Sequence, residues 1–155
     1  MARQCELSGV KPIIGCETYV TMQPFDQRTK RDNRHLILLA KNDVGWRNLT
    51  KLVSKGYTEG FYYNPRIDKE LLREFGEGLV CMSACVSGEV AHLIQVDGLG
   101  TAEEAAREYM DIFGDDYYLE MQRHDIDVEE KINDGLLKLH KKLDVPLVAT
   151  NDFHF

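Results

Sequence analysis

Residue types that bind metal ions recur directly after the short apolar segments of this chain. Glu17 follows one such segment, and Asp152 and His154 follow another. Because residues two apart on an extended chain point the same way, Asp152 and His154 can approach one ion or two adjacent ions. Further donors stand at corresponding positions: Cys85, Gln122 and His124. Carboxylate, imidazole and thiol groups are donor types that divalent cations take, so a divalent-cation site is one prediction from this pattern and solvated loop residues are the other.

Glu17 strengthens this prediction because it follows the apolar residues 13–16 in a segment that should be buried. A buried carboxylate is costly unless a cation or a hydrogen-bond donor accompanies it. A salt bridge to an arginine would satisfy Glu17 equally well. The Asp-x-His spacing is also common in solvated or capping loop residues, so the residue pattern leaves both interpretations open.

His35 differs from the other candidates because it precedes its apolar segment. If residues 36–40 form a strand parallel to its neighbours, His35 lies at the opposite rim of the sheet. An antiparallel strand or a bend in the chain would bring it to the same rim as the other candidates. Two more histidines, His92 and His140, lie in helical stretches, where packed or solvated roles are expected.

A basic segment lies between the first two predicted strands and is interrupted by Asp32. Its cations are candidates for phosphate contacts: Arg28, Lys30, Arg31 and Arg34. Lysine and arginine are the residues that most commonly contact phosphates, although a mixed polar segment of this kind is more commonly a solvated loop. The sequence contains no glycine-rich phosphate loop and no paired Cys-x-x-Cys motif.

The elements that position these residues alternate between strands and helices. Five short apolar segments are predicted as strands: 13–20, 36–40, 78–83, 117–122 and 146–150. Helices are predicted between them at about 44–54, 68–75, 88–94, 101–113 and 127–143. Capping-box patterns at Thr101 with Glu104 and at Asp127 with Glu130 indicate the starts of the last two. The order predicts an α/β protein with a largely parallel sheet.

Chain length limits how far such a sheet can close. An eight-stranded α/β barrel takes about 250 residues, so 155 residues make roughly five strand-helix units. Residues 2–7 resemble the end of a helix that stops at Gly9, with no strand before it. We therefore expect an incomplete barrel that continues an earlier part of the fold, as a single domain over residues 1–155.

Composition excludes several classes of protein. The formal net charge is −7, the hydrophobic fraction is 43%, and no apolar run is long enough to cross a membrane. A chain of this charge repels polyphosphates at long range, so nucleic-acid contact would need a local basic patch or a bound metal. Four cysteines without a signal segment predict free thiols in the cytoplasm, with Cys16 and Cys81 buried.

Six motifs together resemble a known family. They are KPIIGCE (11–17), HLILLAKN (35–42), NLTKL (48–52), SAC (83–85), YLEMQ (118–122) and ATNDFH (149–154). In this order they resemble the polymerase and histidinol phosphatase (PHP) domain at the front of bacterial replicative DNA polymerase III alpha subunits. The resemblance covers nearly the whole chain.

The resemblance implies a distorted seven-stranded α/β barrel that holds up to three metal ions through nine ligands. Five of those positions map onto this chain: Glu17, His35, Cys85, Asp152 and His154. The other four belong to segments that precede this chain in the family, so we expect an N-terminally truncated domain. Zinc, manganese or magnesium is implied for the complete domain, and weak or partial metal binding is expected here.

The resemblance also implies a role in DNA replication. One implied function is that of a metal-dependent phosphoesterase or 3′–5′ exonuclease, which we expect to be inactive in this chain alone. The alternative function is that of a scaffold that supports the polymerase body and binds a proofreading subunit. The implied partners are DNA, through the full-length polymerase, and the remaining replicase subunits; no membrane is expected, and the isolated chain is expected to self-associate. A free-standing histidinol-phosphatase-like enzyme is disfavoured by the motifs at 36–42 and 48–52.

Overall fold

The computed structural model describes residues 2–124 and 126–151. Within them a six-stranded sheet has the order β3-β1-β2-β4-β5-β6. The strands are β1 (Gly15–Val20), β2 (Arg34–Ala40), β3 (Arg66–Ile67), β4 (Leu79–Met82), β5 (Tyr117–Met121) and β6 (Leu147–Ala149). The helices are α1 (Ala2–Leu7), α2 (Asp43–Thr58), α3 (Lys69–Phe75), α4 (Glu89–Val96), α5 (Leu99–Phe113) and α6 (Asp127–Leu143).

One strand runs against all the others. β2 pairs antiparallel with β1 and with β4, whereas β1–β3, β4–β5 and β5–β6 are parallel pairs. The α/β class and the mostly parallel sheet predicted from the sequence are confirmed. The incomplete seven-stranded barrel stays a prediction. β3 was not predicted, since its two residues are too few to form an apolar pattern.

The two faces of the sheet differ in burial. On one face, residues such as Val20, Leu38, Cys81 and Leu119 are fully buried against the helices. Their sequence neighbours point to the opposite face, as the alternation of a pleated strand requires, and most of them are only half-buried. Two polar side chains on this second face, Glu17 and His35, are therefore partly accessible from solvent.

The helix starts correct the sequence analysis at two places. The helix predicted at about 68–75 is confirmed as α3, and Asp68 is its cap, with its side chain accepting from the Leu71 N–H. α5 begins at Leu99 after Gly98, whose φ of +93° turns the chain into the helix, so Thr101 is not the cap. α6 follows Ile126, which places Asp127 inside the first turn, where its charge favours the helix dipole.

The helix predicted at 127–143 is confirmed as α6, and it has an apolar stripe along one face. Four side chains along it are buried: Ile132, Leu136, Leu139 and Leu143. They recur at the spacing that keeps side chains on one helical face. None of the helices within residues 2–124 and 126–151 is long and apolar enough to span a membrane.

Candidate metal centre

Glu17 and His35 meet on the half-buried face of the sheet. In the antiparallel register of β1 and β2, Tyr19 lies opposite His35 and Glu17 opposite Ile37, so all four side chains share one face. Nδ1 of His35 lies 2.7 Å from Oε1 of Glu17. The antiparallel direction of β2 thus brings His35 to the other candidates, which was one of the two open alternatives. Glu17 itself lies inside β1, three residues before its end.

Cys85 reaches the same histidine from a tight turn after β4. Its Sγ lies 3.5 Å from Nδ1 of His35. The turn is tied to β2, because the His35 N–H donates to the carbonyl of Ser87. Ala84 adopts a φ of +61°, a conformation that is costly for a residue with a Cβ. A Cβ at Gly88 would overlap the carbonyl oxygen of Ser83, so this close approach requires glycine.

Carboxylate, imidazole and thiol groups from three segments therefore meet at His35. This donor set matches divalent metals that take nitrogen, sulfur and oxygen ligands. Across residues 2–124 and 126–151, no group of three or more such side chains is arranged to hold a metal ion. The remaining predicted ligands, Asp152 and His154, lie outside the described residues. The residue types of this donor set thus fit a metal ion. The observed contacts of Glu17 and Cys85 with His35 are those of hydrogen-bonded pairs.

Gln122 and His124 hold the chain segment that leads to Asp152. The Gln122 amide donates to Oγ1 of Thr150 over 3.1 Å. The His124 ring lies between Oε1 of Glu129, 2.7 Å from Nδ1, and the carbonyl of Asn151, 3.1 Å from Nε2. Both near-site candidates thus contact the last residues before the predicted Asp-x-His pair.

Glu120 is a site residue that the sequence analysis missed. It is buried, and its Oε1 accepts from Thr150 and from Gln122. Its Oε2 has no hydrogen-bond partner among the described residues. Glu120, Gln122 and Cys85 line a cavity of about 10 Å³, which is room for about one water molecule. The signal that could have identified Glu120 is a charged residue inside the apolar segment 117–122. The same kind of signal identified Glu17.

Comparison with known proteins places this architecture in a family. The family model described as "PHP domain" matches residues 1–124. The chain belongs to the PHP domain family. This match confirms the resemblance drawn from the six motifs.

Bacterial proteins named "DNA polymerase III subunit alpha" are similar to this PHP domain over nearly all of its length. The protein of Aquifex aeolicus is 46% identical over 156 residues, covering 95% of this chain and 13% of the relative. That of Treponema pallidum is 46% identical over 156 residues, covering 97% and 13%. That of Thermus aquaticus is 42% identical over 152 residues, covering 95% and 12%. The chain spans about 13% of the length of these relatives.

The ionisation of the PHP domain site is set by burial and by its hydrogen bonds. Burial alone would raise the pKa of Glu129, but hydrogen bonds from the His124 backbone and ring outweigh it and lower that pKa. Burial, with help from the charge of Glu17, raises the pKa of the Cys16 thiol. Burial raises the pKa of Cys81 much further. All four cysteines are free, as expected, but Cys16 is half-buried, whereas we expected it to be buried like Cys81.

The basic segment is divided by the fold. Arg28, Lys30 and Arg31 are exposed in the loop between β1 and β2, whereas Arg34 lies half-buried within β2. Burial lowers the pKa of His92, and the positive charge of Arg34 lowers it further. Three of the four predicted phosphate contacts thus lie exposed in one loop, and Arg34 is separate from them in a strand.

Proposed function

We propose that this PHP domain is a metal-dependent phosphoesterase module of a bacterial replicative DNA polymerase, of the type that removes nucleotides from a DNA 3′ end. The observation that carries the proposal is the convergence of Glu17 and Cys85 on His35 at an accessible face of the sheet. The similarity of nearly the whole chain to polymerase subunits supports the replicative setting.

Within the proposal, each group has a distinct role. Glu17, His35 and Cys85 hold metal on one side, and Asp152 and His154 complete the ligand set from the segment that follows β6. A divalent cation at such a site supplies an activated water and stabilises the negative charge that builds on a phosphate. Gln122 and His124 are positioning residues, because they fix Thr150 and Asn151 immediately before Asp152.

Zinc, manganese and magnesium are the candidate metals. The thiol and imidazole of Cys85 and His35 favour zinc, whereas the carboxylates suit manganese and magnesium as well. We infer that the 155-residue chain by itself binds such ions weakly, because among the described residues no three such side chains are arranged to hold an ion. It is then inactive by itself, and the activity belongs to the longer polymerase.

The test uses a polymerase that carries this segment. Removal of a mismatched 3′ nucleotide from a labelled primer is measured with each metal for the unmodified enzyme and for His35→Ala. We expect a loss of at least about tenfold, the scale of lost metal-ligand interactions, with primer extension unchanged. Lys138→Gln on α6, which removes an exposed charge, is the matched control. Equal nuclease activity of His35→Ala and the unmodified enzyme would reject the proposal.

A second candidate function is a scaffold for the polymerase body and a proofreading subunit. It is favoured by the 2.7 Å contact of Glu17 with His35, since each of these groups then satisfies the other without a cation. In this case His35→Ala leaves nuclease activity unchanged but weakens subunit binding in a pull-down with the proofreading subunit. The two functions are therefore separated by one variant.

A further inference from the structure

The loop between β1 and β2 is built around a buried arginine. Arg66 of β3 is fully buried, and its guanidinium lies among backbone carbonyls. It donates to Gln27 over 2.7 Å, to Phe25 over 3.2 Å and to Lys30 over 3.4 Å, while its Nε donates to Gly60 over 3.1 Å. One side chain from a different strand thus fixes the path of the loop at three points.

Side-chain hydrogen bonds complete this framework. The Thr29 hydroxyl donates to Gln23 over 2.7 Å, and the Gln23 amide donates to the Lys30 carbonyl over 3.0 Å. The Thr21 hydroxyl donates to Asp32 over 2.9 Å. The charged side chains of the loop are therefore presented from an ordered backbone.

The exposed cations of this loop lack the carboxylate partners that other cations have. Lys41 and Lys69, for example, form ion pairs with acidic residues. Among the residues that the structure describes, Arg28, Lys30 and Arg31 form no ion pair. Residues 21–33 carry these three cations against Asp26 and Asp32, so the loop has a net charge of +1 in a chain with a net charge of −7.

Two tyrosines lie beside these cations. The Arg31 guanidinium lies 4.7 Å from the centre of the Tyr63 ring, and Arg66 lies 5.1 Å from that of Tyr62. The two rings contact each other edge to face, with centres 4.7 Å apart. Tyr63 is 62% exposed and has a φ of +62°, so the fold keeps a bulky aromatic residue in a costly conformation at the surface.

We propose that Arg28, Lys30, Arg31 and Tyr63 form a binding surface for single-stranded nucleic acid. The three cations contact successive phosphates, and an unpaired base stacks on Tyr63, which is the combination used by proteins that bind single strands without sequence preference. A duplex hides its base faces and cannot use the ring. This surface contains none of the candidate metal ligands, so the proposal stands apart from the phosphoesterase function.

Binding is measured by fluorescence anisotropy of a labelled oligothymidylate with the whole 155-residue chain. Excess EDTA removes any contribution of metal at Glu17 and His35, so the failure of one proposal leaves the other standing. Three phosphate contacts predict that log K falls with log salt concentration with a slope of about −2 for a single strand. A slope near zero, or equal affinity for duplex DNA, would overturn the proposal.

Variants separate charge from stacking. Arg31→Gln should weaken binding and reduce the slope by about 0.7, while Arg31→Lys keeps the slope. Tyr63→Phe keeps a ring and should bind normally. Tyr63→Asn tolerates the left-handed backbone without a ring and should bind about tenfold more weakly. Thermal unfolding of each variant checks that the fold is retained.

Controls identify the ligand and the surface. Lys138→Gln removes one exposed charge from α6 and should leave binding unchanged. A loss equal to that of Arg31→Gln would show that charge alone, at any place, controls binding, which contradicts the proposal. Competition by polyglutamate as effective as that by oligothymidylate would assign the surface to an acidic protein partner instead. Binding of oligouridylate supports the proposal and extends it to RNA.

Discussion

Nδ1 of His35 and Oε1 of Glu17 lie 2.7 Å apart although they belong to strands that run in opposite directions. The first residues of β2 therefore lie beside the end of β1, and the turn after β4 reaches the same place with Cys85. The antiparallel strand β2 thus brings His35 together with metal-binding side chains from β1 and from the turn after β4.

This donor cluster predicts weak metal binding in the isolated chain. Glu17 and Cys85 each lie within hydrogen-bonding distance of His35, and among the residues that the structure describes no three such side chains are arranged to hold an ion, which favours partial occupancy over a tight site. We expect no stoichiometric metal after dialysis and no exonuclease activity. Elemental analysis that finds two or more retained ions per chain would contradict this.

The turn that carries Cys85 should depend on Gly88. Gly88→Ala forces a Cβ onto the carbonyl of Ser83, which is backbone and cannot move aside. We expect the free energy of unfolding to fall by about 2 kcal/mol, as for other overpacked sites. Gly100→Ala is the control, because a Cβ there meets open space at the start of α5. Urea unfolding that gives equal stabilities for the two variants would refute the steric argument.

Cys85 should be the most reactive thiol of the chain. Cys81 is fully buried with a strongly raised pKa, and the pKa of Cys16 is raised by burial and by Glu17, so both hold little thiolate at neutral pH. Labelling of the native chain with a thiol reagent, followed by mass spectrometry, should find Cys85 modified first. Cys85→Ser should remove the fast phase. Earlier modification of Cys5, Cys16 or Cys81 would contradict the assignment.

Acid should weaken the contact between Glu129 and His124. Because the folded pKa of Glu129 is lowered, its contribution is present above the ordinary Glu pKa of about 4.3 and is lost as the pH falls through the folded value. Glu129→Gln should cost about 2 kcal/mol at pH 7, with a smaller cost in acid. Exposed Glu130→Gln is the control. Thermal unfolding across this pH range measures both, and a pH-independent cost would contradict the prediction.

Self-association is expected at the edge of β1. β3 pairs only with Tyr19 and Val20, and no other described strand covers Gly15–Thr18 on that side. A groove of about 290 Å³ flanks this edge, and Ile13 beside it is 73% exposed. Unpaired strand edges with apolar neighbours recruit further strands.

Light scattering tests this expectation at micromolar concentration. The chain should be dimeric or aggregated, and Ile13→Lys should shift it towards monomer, whereas Val96→Lys on α4 should not. A stable monomer of the unmodified chain would show that the edge is protected from within.

The sequence predicted the structural features that depend on local residue patterns. The helices predicted at about 68–75 and 127–143 were correct because periodicity and capping act within a few residues. The direction of β2 could not be predicted, since residues 36–40 have the same apolar pattern in either direction. The role of Arg66 also escaped prediction, because its acceptors are backbone carbonyls distant in sequence. Glu17, His35 and Cys85 were identified from residue type, but their meeting point depends on strand pairing.

Because Arg66 binds only backbone carbonyls of the basic loop, the path of the loop does not depend on which charged side chains it carries. Its guanidinium is held by carbonyl groups, which every amino acid carries, so replacing Gln27 or Lys30 removes no acceptor. Mutation can therefore vary the charges at the loop surface while the loop keeps its path. Evolution can adjust the affinity of this surface one residue at a time. Replacement of Arg66 itself would destabilise the fold.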